Sequence, residues 1–230
     1  PKKRSTFLLS VLCFGMAFLY IPMFLLIVYS FNYSKIVSVW GGLSTRWYTS
    51  LFESEEIWSA LMLSLKIAIV NATFATLLGT LAGLALARFR YFRGRTLFTG
   101  MISAPLVMPE VITGLSLLLL FITLGDLIGW PEKRGITTIT IAHITFSLAY
   151  VAVIIESRLS GIGETLEEAA LDLGAKPLRV MIDITLPLLA PGMLAGWLLA
   201  FTLSLDDLVI ASFVSGPGSS TLPMLIYSRV

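Results

Sequence analysis

Five mainly apolar stretches, about 8–29, 59–87, 97–124, 136–155 and 188–214, account for most of this 230-residue chain. Each is long enough to cross a hydrocarbon core about 30 Å thick as a helix, which takes roughly 20 residues. Lipid offers the backbone no hydrogen bonds, so each crossing segment must satisfy its own polar groups, and a helix does so. The expected fold class is therefore all-α: a polytopic transmembrane helical bundle in a single domain over residues 1–230. Composition agrees, with 57% hydrophobic and 13% charged residues, where soluble domains carry about 25% charged. A large water-soluble core is excluded.

The first stretch follows Lys2-Lys3-Arg4 but exceeds the ~7–15 apolar residues of a secretory signal, so it reads as a span. Lys66 lies 22 residues before Arg88, about 33 Å along a helix, and can snorkel to the opposite interface. Gly79 and Gly83 form a small-xxx-small pair that admits a close neighbouring helix. Orientation follows from the basic residues. With a cytoplasmic N-terminus that side holds Lys2, Lys3, Arg4, Arg88, Arg90, Arg93, Arg95, Arg158, Lys176 and Arg179, ten against the five of Lys35, Arg46, Lys133, Arg134 and Arg229. The positive-inside rule favours that arrangement.

Three carboxylates, Glu110, Asp206 and Asp207, fall inside apolar stretches. A charge at mid-span costs about 2.5–3.5 kcal/mol even on the lenient insertion scale, so such residues usually line a polar path. Glu110 lies 15 residues beyond Arg95, and Asp206 lies 15 beyond Pro191. Both should therefore sit about 22 Å from one boundary, in one layer. No Lys or Arg is expected at that depth, and a substrate cation would supply the missing charge. Protonation, or a cation on a neighbouring subunit, is the competing account. Adjacent helical residues point about 100° apart, so Asp207 is the weaker of its pair. Pro109 should kink the third span beside Glu110.

Trp40, Trp47 and Tyr48 offer cation–π faces to an ammonium, or equally an interfacial aromatic belt. His143 reads as a hydrogen-bonded packing residue. With one His and one Cys in the chain, a metal or haem site has no support.

Residues about 164–186 are neither apolar enough to span nor irregular. Thr165 and Glu168 have capping-box spacing, and Leu166, Ala169, Ala170 and Leu173 recur on one helical face. Gly174 suits a left-handed C′ position, and Pro177 the first turn of a second short helix ending near Pro187. Charge asymmetry puts this double helix in the cytoplasm. No Gly-x-x-x-x-Gly-Lys-[Ser/Thr] loop occurs, so ATP-derived work has to come from a partner. The amphipathic face could receive such a partner or lie on lipid; the residues admit both.

Glu168-Ala169-Ala170, three residues, Gly174, nine residues, Ile184, one residue, Leu186-Pro187 resembles the EAA signature of permease subunits of ABC importers. Ala104–Leu119 and Ser204–Gly218 are similar to the polyamine branch of that family. The resemblance implies a six-helix permease of the bacterial inner membrane, multi-pass, with its sixth helix following Val230. It implies a second permease subunit, two ATPase subunits and a periplasmic polyamine-binding protein as partners, with no nucleic acid. ATP and magnesium would sit on the ATPase subunits, and this chain would carry no cofactor and no catalytic site. The cargo would be a polyamine, putrescine or spermidine, moved from periplasm to cytoplasm. Glu168, Ala169, Ala170, Gly174, Leu186 and Pro187 would couple the chain to an ATPase. Trp47, Glu110, Ser204, Asp206 and Asp207 fall at positions associated with polyamine passage. An ion-coupled secondary transporter of small cations is the alternative that the same carboxylates admit. An intramembrane aspartyl protease needs two Asp on facing helices, whereas Asp206 and Asp207 are neighbours in sequence.

Overall fold

A computed structural model describes residues 2–36, 39–89 and 91–229. Among them the chain is helical apart from loops and one isolated antiparallel bridge, Asn32 to Leu43, the expected all-α class. Arg90, counted above with the basic residues, lies outside the described set. The chain divides into two compact units, Pro1–Trp58 and Ser59–Val230.

The first unit holds α1 (Lys2–Ser30) and α2 (Arg46–Glu53). From Thr6 to Ser30, α1 buries nothing inside the chain. A helix apolar on every side, with no partner face, has lipid as its natural solvent.

The second unit is built on α3 (Glu55–Arg88) from Ser59 onwards, α4 (Arg95–Val107), α5 (Glu110–Ile128) and α6 (Ile136–Ile162). After α6 come α7 (Thr165–Asp172), α8 (Pro177–Val180), a π-turn (Met181–Thr185), α9 (Leu186–Asp206), α10 (Val209–Val214) and α11 (Leu222–Arg229). Helix α6 is the central post, because each of the three buried clusters takes residues from it. Ile139, Ala142 and Phe146 pack with Ile67, Phe121 and Ile210. One turn or more further on, Val151, Ile155 and Leu159 meet Ala72, Ala75 and Leu189. Ala149 and Ala152 meet Ala82, Leu86 and Ile102. Small residues let the backbones close up, as packing within lipid requires. A Cβ on Gly79 would lie 2.6 Å from Val151 Cβ, and one on Gly83 2.8 Å from the Ala152 carbonyl oxygen. The Gly79/Gly83 pair is thus the seam of α3 on α6, as its spacing predicts.

Two of the five apolar stretches depart from expectation. The stretch 97–124 is two helices, because Met108 is extended (φ −76, ψ 136) and Pro109 follows it with ψ 138. Proline disfavours the helical region for the residue before it, and here that ends α4 outright instead of kinking one span. The stretch 188–214 also breaks: α9 stops at Asp206, and Asp207 is extended (φ −66, ψ 123) before α10 begins. The remaining three helices, Lys2–Ser30, Glu55–Arg88 and Ile136–Ile162, extend beyond the apolar bounds 8–29, 59–87 and 136–155.

The second short helix does not end near Pro187. Helical backbone continues from Pro177 through the π-turn into α9. Pro187 cannot donate to the preceding turn, and the widened π-turn immediately before α9 accommodates that loss. The Thr165 capping box is absent as well. Helix α7 is capped one residue earlier, by Glu164, whose backbone carbonyl accepts from the Glu168 amide at 2.9 Å.

Candidate functional site

The two helix breaks come together. Gly114 of α5 faces α10, where an added Cβ would lie 2.7 Å from Phe213 Cδ2 and 3.4 Å from Ile210 Cα. Further along, Phe121 joins Ala211 and Val214, and Gly125 and Gly129 line a cavity with Gly216 and Pro217. Helices α5 and α10 therefore run in the same direction. Glu110 opens α5 four residues before Gly114, and Asp206 ends α9 four residues before Ile210 with the extended Asp207 between, so each carboxylate stands beside a break at the same end of the α5–α10 contact. They sit at helix ends beside the breaks, however, and not at mid-helix as the sequence suggests. Both are exposed on the chain, and neither has a side-chain hydrogen bond or ion pair among the described residues.

Asp207 and Ser204 point elsewhere. Asp207 Oδ2 accepts from His143 Nε2 at 3.1 Å and from the Ala211 amide at 2.7 Å, and Oδ1 from the Ile210 amide at 3.3 Å. Ser204 Oγ lies 2.7 Å from His143 Nδ1. A carboxylate only accepts, so Nε2 carries the ring proton, and in the neutral ring Nδ1 accepts from the Ser204 hydroxyl. His143 is only 2% exposed. The composition of contacts resembles a hydrolytic triad, yet Ser204 is only 6% exposed in the last turn of α9. Sequence reasoning correctly made His143 a hydrogen-bonded residue but missed its partners. The available signal was the one-turn spacing of Ser204 and Asp207 on a facing helix.

One turn further along α6, Asn71 Nδ2 donates to the Ala200 carbonyl at 2.8 Å and to Ser147 Oγ at 3.2 Å. Helices α3, α6 and α9 are thus tied by a fully buried amide directly beneath the His143 cluster.

Trp47 belongs to the first unit. Its Nε1 donates to the Asn32 carbonyl at 2.8 Å. Arg46 lies over its ring at 4.8 Å and Lys35 at 5.9 Å from the centroid. The cation–π surface considered for a ligand is therefore occupied by the chain's own cations. Beside it is a cavity of about 560 Å³ lined by Tyr29, Asn32, Lys35, Trp47 and Tyr48 among others.

The amphipathic region forms a second candidate site. Helix α7 ends in a double turn closed by Gly174 at φ +86, whose amide donates to the Leu171 carbonyl at 2.9 Å, while Ala175 donates to Ala170 at 3.0 Å. That is the pairing expected where a left-handed residue ends a helix. Glu167 is the internal brace: Oε1 accepts from Arg88 Nη2 at 2.9 Å and from Thr185 Oγ1 at 2.8 Å. Glu168 and Ala169 are exposed and Ala170 is half-buried. Leu173 is 90% exposed and Leu178 69% exposed, so an apolar face stands open. Leu186 begins α9, with Pro187 second.

Residues 75–229 match the family described as binding-protein-dependent transport system inner membrane component. The chain is 59% identical over its whole length to the putrescine transport system permease protein PotI of Escherichia coli (strain K12), covering 82% of that protein. It is 44% identical over 214 residues to the spermidine/putrescine transport system permease protein PotC of the same strain, covering 93% of this chain and 78% of the relative. Among solved structures, a bacterial ABC transporter involved in import of the acidic polysaccharide alginate superposes with a TM-score of 0.72 at 15% identity, covering 100% of this chain and 80% of that one. At that identity the likeness is one of fold.

Proposed function

Because the chain belongs to the family of binding-protein-dependent transport system inner membrane components, we propose that it is the permease subunit of an ATP-driven importer moving a linear polyamine, putrescine foremost, from periplasm to cytoplasm. It is a multi-pass membrane protein and a transport subunit rather than an enzyme. The family and the relatives named for putrescine and spermidine support the cargo class. The observation that carries the reading is that Glu110 and Asp206 each stand beside a helix break at the same end of the α5–α10 contact, both exposed and without a partner on the described chain. An ammonium at each end of a short chain is the counter-charge such a pair accepts.

In this reading the N-terminus is cytoplasmic and a second permease completes the path. Two ATPase subunits bind nucleotide and magnesium, and a periplasmic polyamine-binding protein delivers the cargo. The exposed face around Glu168, Ala169, Ala170 and Leu173 receives one ATPase, with Gly174, Leu186 and Pro187 shaping its connection to α9. Glu110 and Asp206 replace water around the passing ammonium groups, Ser204 and Asp207 act by holding the break beside them, and Trp47 acts by holding the structure of its own unit. An ion-coupled mechanism gains no support from a family defined by dependence on a binding protein.

The test is putrescine uptake by the assembled complex in proteoliposomes. Glu110→Gln and Asp206→Asn should each lower the maximal rate by about tenfold or more, with assembly intact. Uptake undiminished by both would sink the carboxylate assignment.

A further inference from the structure

We infer that His143 is a positioning residue for cation passage, because one buried imidazole joins both sides of the break at which the exposed Asp206 sits. Ser204 lies on the last turn of α9, Asp207 closes the first turn of α10, and Asp206 stands between them. His143 holds Ser204 Oγ at 2.7 Å and Asp207 Oδ2 at 3.1 Å. Apolar packing holds α10 itself, through Ile210, Ala211 and Val214, but among the described residues the extended junction between α9 and α10 is tied on both sides by this imidazole alone, and Asp206 takes its direction from that junction. His143 itself is fixed by its place in α6, between Ile139, Ala142 and Phe146, which are all buried.

The division of labour between the adjacent carboxylates follows. Asp207 is committed to three donors: the imidazole and the amides of Ile210 and Ala211. Asp206 has no partner on the described chain and is the member of the pair that can meet a cation. His143 never touches the cargo. It sets the direction of the carboxylate that does.

This inference rests on the proposed carboxylate path, and the experiment separates the two. His143→Leu keeps most of the volume and removes both hydrogen bonds. His143→Gln can still donate to Asp207 but gives up the Ser204 contact. In the assembled complex, maximal putrescine uptake should fall in the order wild type, His143→Gln, His143→Leu, reaching about tenfold for His143→Leu, while the apparent KM stays within about twofold. In an Asp206→Asn background neither substitution should lower uptake further by more than about twofold, because the carboxylate they position is gone.

Multiplicative losses in the double variants would overturn the inference, since His143 would then act independently of Asp206. So would wild-type uptake in His143→Leu, or failure of both single variants to assemble, which would mark a packing role. If Asp206→Asn alone transports normally, it is the carboxylate path itself that fails, whatever the His143 variants do.

Discussion

Arg88, the last residue of α3, and Glu167 of α7 form a 2.9 Å ion pair with side chains only 18% and 19% exposed. Arg88 Nη2 also donates to the Gly163 carbonyl at 3.0 Å, so one guanidinium holds both the turn before α7 and α7 itself. Replacing either partner strands the other. Arg88→Gln should loosen α7 by about 1–3 kcal/mol. Limited proteolysis of the assembled complex should then cut faster within 163–175, and transport should fall with the loosening. An unchanged cleavage rate would mean that α7 is held by other contacts.

Glu168, one residue on, should behave oppositely. It is exposed, so Glu168→Arg should leave proteolysis and thermal stability as in wild type. Charge reversal on a face that receives a partner should nonetheless lower transport-linked ATP hydrolysis by about tenfold, since like charges across an interface cost several kcal/mol. Normal coupling in this variant would remove Glu168 from the interface.

The α3–α6 seam makes a sharper demand. Gly83→Leu puts a side chain where even a Cβ would lie 2.8 Å from the Ala152 carbonyl and from Ile155 Cβ. Backbone cannot yield as a flexible side chain can, and overpacking of this kind costs about 1–3 kcal/mol or more. The yield of folded protein from the membrane, measured by size-exclusion chromatography in detergent, should collapse. Gly15→Leu on α1, with nothing within 4 Å, is the control and should be tolerated.

Asn71 tests the buried tie. Asn71→Leu removes two donated bonds but leaves no charge, and should cost little. Asn71→Asp turns a carboxylate towards the Ala200 carbonyl in a site with no exposure, and breaking a buried polar tie with an unpaired charge costs about 3–5 kcal/mol. The melting temperature of the complex should therefore fall much further for Asp than for Leu. Equal effects would indicate that the amide contributes by volume alone.

In the first unit, Trp47→Phe keeps a ring for Arg46 and loses the bond to the Asn32 carbonyl, whereas Trp47→Ala loses both. Uptake should decline in that order, with Arg46→Gln resembling Trp47→Phe. If the ring served an arriving ammonium instead, Arg46→Gln would free it and raise uptake.

Much of the architecture was legible in the pattern of residues. The apolar stretches located the long helices, Gly79 and Gly83 announced their seam, and Gly174 marked the end of α7, because each signal is local and steric. What escaped reading depended on contacts distant in sequence. Pro109 signalled a bend, but whether α4 ended depended on Met108 going extended. Asp207 gave no sign of ending a span, because the compensation for leaving the helix comes from His143, 64 positions away. Likewise Glu168 drew attention by its capping spacing, while Arg88 and Thr185, both far along the chain, engage Glu167.

The uninterrupted 30-residue helical run from Pro177 to Asp206 has a mechanical consequence. At about 1.5 Å per residue it is some 45 Å of helical backbone, bent if anywhere at the π-turn before Pro187, between the exposed amphipathic face and the exposed carboxylate. Along its length Leu189, Gly196 and Ala200 pack on α6 and α3, so a movement at one end is passed on through these contacts. Turning α9 by about 20° carries a side-chain tip at roughly 5 Å radius through about 1.7 Å, enough to part Ser204 from the imidazole that holds it. Movement delivered at Leu178 would thus be read out as a change of aim at Asp206.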